Sequence, residues 1–171
     1  ALAAGLAGHS MAQIVVGQTV GVTGSAAITV KESMQGASLY LDFVNAQGGV
    51  GGQKIELVVL DDKFDTKLTL ENARTLIEKH GAIALFMTRG TPHTQGIVPL
   101  LDEAGVVLVG PSTGAMALHK PVSRHVFNVR APYQLEVEKA ITHLNTLGVE
   151  RIGVIHVDDS FGADALGGAL N

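Results

Sequence analysis

Ser112 is the residue of this chain best suited to covalent chemistry. It lies in Gly-Pro-Ser-Thr-Gly at 110–114, which fits the G-x-S-x-G pattern of a hydrolase nucleophile elbow. In such enzymes an acid and then a histidine follow the serine along the chain and activate its hydroxyl. Here the last histidine, His156, precedes every aspartate that follows Ser112. Because no aspartate lies between Ser112 and His156, the order of residues disfavours hydrolysis, and the sequence predicts a protein that is not an enzyme.

Paired carboxylates at Asp61 and Asp62 suggest a second chemistry, a phosphoacceptor pocket like that of receiver domains. In receiver domains the acidic pair follows the first strand and a phosphorylated aspartate follows the third. Here the pair follows the second predicted strand, and Met-Thr-Arg at 87–89 follows the third. The simpler interpretation is that the two carboxylates end a strand, while Asp65 caps the helix that comes next.

The arrangement of possible donors disfavours metal chemistry. The seven histidines are scattered, no two of them are four residues apart on a predicted helix, and there are no cysteines. Zinc sites need three or four converging ligands. The sequence therefore predicts neither a metal site nor a cofactor.

A glycine-rich segment at 48–52 has the composition of a phosphate-binding loop. Gly48 and Gly49 follow an apolar helical stripe, and they precede a short apolar run at 54–60 that suits a buried strand. Phosphate loops need the opposite order, with the strand before the glycines and the helix after them. The order therefore indicates a helix stop and a chain reversal.

Composition restricts the class of partner. The 171-residue chain is 46% apolar and only 4% aromatic, so we expect a core of Val, Leu, Ile and Ala. Its 12 basic residues are outnumbered by 16 acidic ones, which gives a net charge of -4. Nucleic acid is not an expected partner, because phosphate binding needs a basic surface.

The candidate residues are positioned by a regular alternation of strands and helices, which is typical of a doubly wound α/β fold with a parallel sheet. The loops after strands one, three and four emerge at one edge, outside the carboxyl ends of the strands, where such sheets bind ligands. The predicted strands cover 14–20, 54–60, 82–87, 106–109, 126–129 and 151–157, and the predicted helices cover 31–46, 66–79, 94–104, 133–147 and a segment that begins at Phe161.

Several short motifs, in this order and spacing, resemble type I periplasmic solute-binding proteins of ABC importers, in the branch that includes the branched-chain amino-acid receptors. The resemblance spans residues 13 to about 168. The motifs are Gly-Val-Thr-Gly at 21–24, Asn-Ala-Gln-Gly-Gly-Val-Gly-Gly at 45–52, Lys-Ile-Glu-Leu at 54–57, Asp-Asp at 61–62, Gly-Pro-Ser-Thr-Gly at 110–114 and Asp-Ser-Phe-Gly at 159–162.

The resemblance implies two Rossmann-like lobes that close by a hinge on a small solute, such as an amino acid or related organic acid. Residues 13–131 would form the N-terminal ligand-binding lobe, and 132–171 an incomplete start of the second lobe. The parent protein would be an exported, periplasmic receptor without catalytic activity, and it would deliver its solute to the membrane permease of an ABC importer. The alternative from another class is the ligand-sensing ectodomain of a signalling receptor, which shares this fold.

Ligand contacts follow from the same resemblance, position by position. Relatives hold the ligand carboxylate with hydroxyls and with backbone N–H groups at helix starts. Two departures, Thr29 in place of an aromatic residue and an imidazole among small residues, favour a larger carboxylate of aromatic or keto-acid type. The implied contacts are Thr23, Gly24 and Ser25 after strand one, Thr91, Pro92 and His93 after strand three, Ser112, Thr113 and Gly114 after strand four, and Phe161 from the second lobe.

The two ends of the sequence carry further expectations. Residues 1–12 are small, apolar and uncharged, which indicates the remnant of a signal peptide or a disordered leader. The predicted strand at 151–157 has no later strand to flank it, so we expect the chain to be a piece of a longer protein. Exposed apolar surface between Tyr133 and Leu170 would then cause the chain to self-associate.

Overall fold

In the computed structural model, which describes residues 13–171, five parallel strands form one sheet in the order β2-β1-β3-β4-β5. The predicted leader at 1–12 lies outside the described residues. The strands are β1 (Ile14–Val20), β2 (Ile55–Asp61), β3 (Ala84–Phe86), β4 (Val107–Val109) and β5 (Val126–Phe127). The helices are α1 (Ala27–Ala46), α2 (Thr66–Glu78), α3 (Thr91–Ala104), α4 (Tyr133–Thr146) and α5 (Ser160–Leu170), with a single 3-10 turn at Met116–Leu118.

Both faces of the sheet carry helices, which confirms the doubly wound α/β prediction. Successive strand side chains point to opposite faces. Val58 and Leu60 accordingly pack against the cluster that contains Leu76 of α2, whereas Val59 packs against the cluster that contains Val30 of α1. The larger of the two clusters lies under α2 and α3, and burial of apolar surface there is the main stabilising term.

A side-chain amide joins the end of α1 to the start of β2. Asn45 Nδ2 donates to the Ile55 carbonyl oxygen and Asn45 Oδ1 accepts from the Ile55 N–H, both at 2.8 Å. Between them, Gly48 and Gly49 have φ angles of 97° and 75°, which residues other than glycine rarely adopt. The glycines follow a helix and precede a strand, so the prediction of a chain reversal is confirmed.

The predicted start of α2 is also confirmed. Asp65 Oδ1 accepts hydrogen bonds from the N–H groups of Lys67 and Leu68, at 2.8 and 3.0 Å. These backbone donors, that of Leu68 first, lower the pKa of Asp65. The side chain therefore satisfies two of the donors that a helix start leaves unpaired.

The start of α3 differs from the prediction. The helix begins at Thr91 and not at Thr94, because Gly90 with φ 92° turns the chain straight from β3 into the helix. Thr91, Pro92 and His93, predicted to lie in a loop, therefore form the first helical turn. Proline suits this position, since the first turn does not need its missing N–H.

The predicted strand at 151–157 is wrong. These residues form no strand and are exposed throughout, with Ile155 fully accessible. A strand needs a neighbour for its backbone hydrogen bonds, and no other strand of residues 13–171 lies beside this segment. An apolar, β-branched composition was not sufficient without a partner.

The last two helices pack closely on each other. Gly168 of α5 lies against the backbone of Gln134 in α4, where a Cβ would collide with the Gln134 carbonyl oxygen. Asp164 of α5 reaches back to the first part of the chain and accepts from the Met116 N–H at 3.2 Å. None of the helices in the described part of the chain is both long and apolar enough to cross a membrane.

Candidate functional site

A cleft of about 410 Å³ opens at the edge where β2, β3 and β4 have their carboxyl ends. This is the edge at which parallel α/β sheets bind ligands. One wall follows these three strands and the other comes from the segments around α4 and α5. The lining residues are Phe64, the segment 89–93 and Ser112 on the first wall, and Arg130, Tyr133, Val157, Asp159 and Phe161 on the second.

A wider and more open groove runs along α1, with a volume of about 850 Å³. Its lining is mainly aliphatic, including Ile28, Met34 and Leu39. It lies on the outer side of a helix and does not collect the ends of several strands. The smaller cleft is therefore the candidate functional site.

The N-terminus of α3 opens onto the cleft without a side-chain cap. The preceding residue, Gly90, offers no side-chain acceptor, so the first-turn N–H groups of Thr91 and His93 stay available. Thr91 is itself held in place, because its hydroxyl bonds to that of Thr113 at 2.7 Å. An uncapped helix start favours an anion, since its free N–H groups carry partial positive charge.

Ser112 lies beside this helix start. Its backbone N–H donates to the Thr88 carbonyl oxygen at 2.7 Å, and it forms a parallel bridge with Arg89. The Ser112 hydroxyl lines the cleft and has no hydrogen-bond partner within residues 13–171. It is therefore a free donor next to the α3 N-terminus.

The first wall of the cleft includes two aromatic rings, those of Phe64 and His93. Phe64 stacks on His93 with 4.2 Å between the ring centroids and 25° between the ring planes. Phe64 has a φ of 60°, which is rare for a bulky residue. The Asp62 carboxylate holds this conformation, accepting from the Phe64 N–H at 2.9 Å and, through its second oxygen, from Thr19 and Thr69.

The second wall contributes two more rings. Tyr133 and Phe161 make an edge-to-face contact with centroids 5.1 Å apart and planes at 70°. Tyr133 is anchored to the first part of the chain, because its N–H donates to the Gly114 carbonyl oxygen at 2.7 Å. Asp159 caps α5 with Oδ1, which accepts from the N–H groups of Phe161 and Gly162 at 2.9 Å.

The two arginines of the cleft have different surroundings. Arg130 donates to both Glu136 oxygens, at 3.0 and 2.8 Å, and its guanidinium lies 4.8 Å from the Tyr133 ring centroid. This hydrogen-bonded pairing raises the pKa of Arg130 and lowers that of Glu136. Arg89 has no acidic partner within residues 13–171, so its charge is uncompensated by the described residues.

The structure brings half of the sequence-predicted contacts into the cleft, namely Thr91, Pro92, His93, Ser112 and Phe161. Thr113 and Gly114 are buried directly behind them. Gly114 is explained by packing, because a Cβ there would collide with the Ala131 carbonyl oxygen and crowd Tyr133.

The other predicted contacts, Thr23, Gly24 and Ser25, are exposed and do not line this cleft. The Thr23 hydroxyl donates to Asp61 Oδ2 at 2.6 Å. Desolvation raises the pKa of Asp61, but the bonds from Thr23 and from nearby backbone N–H groups outweigh it, so the pKa is lowered overall. The assignment of these three residues to a ligand stays a prediction.

Phe64, Tyr133, Val157 and Asp159 line the cleft but were not among the predicted contacts, and the roles of Arg89 and Arg130 were left undecided. A signal existed for Phe64, because β2 ends at the same edge as β1, β3 and β4. The residues that follow Asp61-Asp62 had therefore to lie near the other ligand loops. Apart from Phe161, no comparable signal locates the residues of the second wall, whose place depends on how α4 and α5 pack.

The described part of the chain contains neither a serine–histidine pair at Ser112 nor a cluster of metal ligands. Within residues 13–171, Ser112 makes no hydrogen bond to a histidine. The same residues contain no group of three His, Cys, Asp or Glu side chains able to hold a metal ion.

A parallel α/β lobe with an anion-favouring cleft at the carboxyl ends of its strands suits the binding of a small solute. The chain belongs to the periplasmic binding protein family, whose model matches residues 13–170. This family consists of binding proteins and not enzymes, so the predictions of family and of a non-enzymatic role are confirmed.

Individual relatives agree with this assignment. An amino acid binding protein from Pseudomonas aeruginosa is 30% identical over 171 residues, covering 98% of this chain and 46% of the relative. A substrate-binding periplasmic protein from Ralstonia solanacearum has a TM-score of 0.86 and 37% identity, covering 91% of this chain and 44% of that one.

The substrate binding protein LivJ of a branched-chain amino acid transporter from Streptococcus pneumoniae, solved with isoleucine, has a TM-score of 0.67 and 27% identity. The match covers 72% of this chain and 35% of that one. The chain thus spans less than half the length of each of these three relatives.

Proposed function

We propose that this chain belongs to an extracytoplasmic receptor of an ABC importer, which binds a small carboxylate such as an amino acid or related organic acid in the cleft. The observation that carries the proposal is the cleft itself, at the carboxyl ends of β2, β3 and β4, lined by donors and rings. The isoleucine complex of the streptococcal relative and the name of the Pseudomonas relative support an amino acid or a similar acid as solute.

The polar groups of the cleft suit an anion. The uncapped start of α3 supplies backbone donors, Ser112 supplies a hydroxyl and Arg89 supplies a positive charge. None of these groups is a general base next to a nucleophile, so the site can hold an acid without transforming it.

The proposed ligand contacts are therefore Thr91, Pro92, His93, Ser112 and Phe161. Residues 13–131 form the proposed N-terminal lobe and 132–171 the start of a second lobe. Phe161 reaches the cleft from that second part, which fits closure of two lobes on a solute. In the proposed pathway the parent protein works in the periplasm and passes its solute to a membrane permease.

Calorimetry on the full-length protein tests carboxylate recognition. We expect L-leucine or L-phenylalanine, or the matching 2-oxo acids, to bind at least tenfold more tightly than the corresponding amides, which lack the charge. Ser112→Ala removes one hydroxyl and should weaken binding of the best acid by about 2- to 10-fold.

Ser38→Ala removes an exposed hydroxyl on α1, away from the cleft, and serves as the matched control. Its affinity should equal that of the wild type. Amides that bind as tightly as the acids would overturn the proposal. An equal loss of affinity in Ser112→Ala and Ser38→Ala would do the same.

We also propose that the 171-residue chain self-associates through its apolar surface between Tyr133 and Leu170. Val154, Ile155 and Val157 are exposed to 44%, 103% and 52%. Leu135, Leu147 and Leu170 add further exposed apolar area. Adjacent exposed side chains of this kind are typical of interaction sites or of association.

A further inference from the structure

We propose that the solute carries a planar aromatic ring, so that the cleft selects an aromatic carboxylate over an aliphatic one. This inference rests on the proposed carboxylate-binding function. The whole chain has only five Phe, two Tyr and no Trp, and three of these seven residues line the one cleft. They are Phe64, Tyr133 and Phe161, and the imidazole of His93 adds a fourth ring.

The first ring wall is fixed before any ligand arrives. His93 is only 5% exposed, both of its ring nitrogens are enclosed without partners among the described residues, and it backs the ring of Phe64. Phe64 stays 37% exposed, and the bond from its N–H to Asp62 fixes its backbone. Besides lining the cleft, His93 therefore positions Phe64, which presents an aromatic surface to the ligand.

The second ring wall is also held from behind. The guanidinium of Arg130 covers the Tyr133 ring, and Tyr133 in turn contacts Phe161 edge to face. Phe161 remains 41% exposed. A ligand ring can thus meet aromatic surface from both walls, in the offset or edge-to-face geometries that aromatic pairs prefer.

The remaining lining leaves little saturated surface for an aliphatic ligand. Of the lining residues, only Pro92 and Val157 present purely saturated apolar side chains. An aliphatic side chain would still gain from burial, but it would lack the quadrupole interaction between two aromatic rings. A volume of about 410 Å³ is within the range of small-molecule sites.

The acidic end of the ligand is assigned to Arg89. The guanidinium of Arg130 is already bonded to Glu136, whereas that of Arg89 has no acidic partner within residues 13–171. Asp159 uses Oδ1 to cap α5, which leaves Oδ2 as an acceptor for an ammonium group. The ring and the carboxylate are thus the proposed determinants, and an amino group is optional.

Four probes separate these features in calorimetry on the full-length protein. L-phenylalanine and phenylpyruvate carry the ring with and without the amine, and L-leucine and 4-methyl-2-oxopentanoate are their aliphatic counterparts. We expect the tighter of the two ring acids to bind at least tenfold more tightly than either aliphatic acid. Comparison of the two ring acids then reports whether the amine is recognised.

Substitutions locate the selectivity. Phe64→Leu keeps an apolar side chain and removes the ring. It should weaken binding of the ring acids about 3- to 10-fold and change the affinity for the aliphatic acids less than twofold. Phe161→Leu makes the same test on the other wall, in case the first variant folds poorly. Phe43→Leu alters an exposed phenylalanine of α1 and should leave the affinity for all four acids unchanged.

Arg89→Gln should weaken binding of all four acids. Arg124 is exposed and lies outside the cleft, so Arg124→Gln should weaken binding of none. Aliphatic acids that bind as tightly as ring acids would overturn the aromatic assignment and leave the carboxylate receptor intact. Binding of none of the four acids would overturn both proposals.

Discussion

At the scale of single residues, the buried carboxylate of Asp62 organises the first wall of the cleft. It is 1% exposed and accepts hydrogen bonds from two hydroxyls and one backbone N–H. A charged acceptor with several donors is stable in an interior only while those donors are present. The same contacts fix the unusual backbone of Phe64, so one residue links the stability of the lobe to the shape of its site.

Asp62→Ala should lower the free energy of unfolding by about 3 kcal/mol, because it leaves the Thr19 hydroxyl and the Phe64 N–H without their acceptor and removes one of the two acceptors of the Thr69 hydroxyl. Urea denaturation followed by circular dichroism measures the change. Asp42→Ala, an exposed carboxylate on α1, is the control and should stay within about 0.5 kcal/mol of the wild type. Equal effects of the two substitutions would show that Asp62 does not have this role.

At the scale of elements, two neighbouring glycines of α5 allow the effect of close helix packing on stability to be measured apart from the effect of helix propensity. Gly168 lies against the Gln134 backbone, whereas a Cβ at Gly167 would meet only the flexible Gln134 side chain, at 3.4 Å from Nε2. Backbone cannot move aside as a side-chain amide can. The same substitution at these two positions of one helix is therefore expected to change the stability of the chain in opposite directions.

Gly168→Ala should destabilise the chain by about 1–3 kcal/mol, because the added methyl group forces α5 away from α4. Gly167→Ala should stabilise it by about 0.5–1 kcal/mol, since alanine favours the helix and the added methyl group meets only a flexible side chain at contact distance. Thermal unfolding of the two variants measures both signs. If Gly168→Ala raised the melting temperature as Gly167→Ala does, the close contact between α4 and α5 would be disproved.

Elements with local signals could be predicted from the sequence, and those that depend on distant partners could not. The Asp65 cap and the glycine stop of α1 each lie within a few residues of the boundary they set, so both were predicted. The segment 151–157 has the composition of a strand, but its pairing depends on the rest of the fold. Only Phe161 of the second wall was predicted, since packing of α4 and α5 brings the others to the cleft.

At the scale of the whole molecule, the 171-residue chain leaves an apolar surface on the side of α4 and α5. The residues of the segment 151–157 are all exposed, although Val157 also lines the cleft, and the segment has no neighbouring strand within residues 13–171. Exposed segments rich in β-branched apolar side chains favour association with another chain. Two copies can each bury this segment against the other, which removes apolar surface from water.

Sedimentation at tens of micromolar should therefore show dimers or larger species, and Ile155→Lys should shift them toward monomer, because it places a charge in the centre of the contact. Val122→Lys is the matched control, since Val122 is 87% exposed but lies outside the surface between Tyr133 and Leu170. It adds the same charge, so any general effect of net charge on solubility appears in both variants. A monodisperse wild-type monomer would contradict self-association, and an equal shift in the two variants would contradict its location. A shift confined to Ile155→Lys would place the contact at this segment, because only there does the charge replace an apolar side chain that the proposed contact buries.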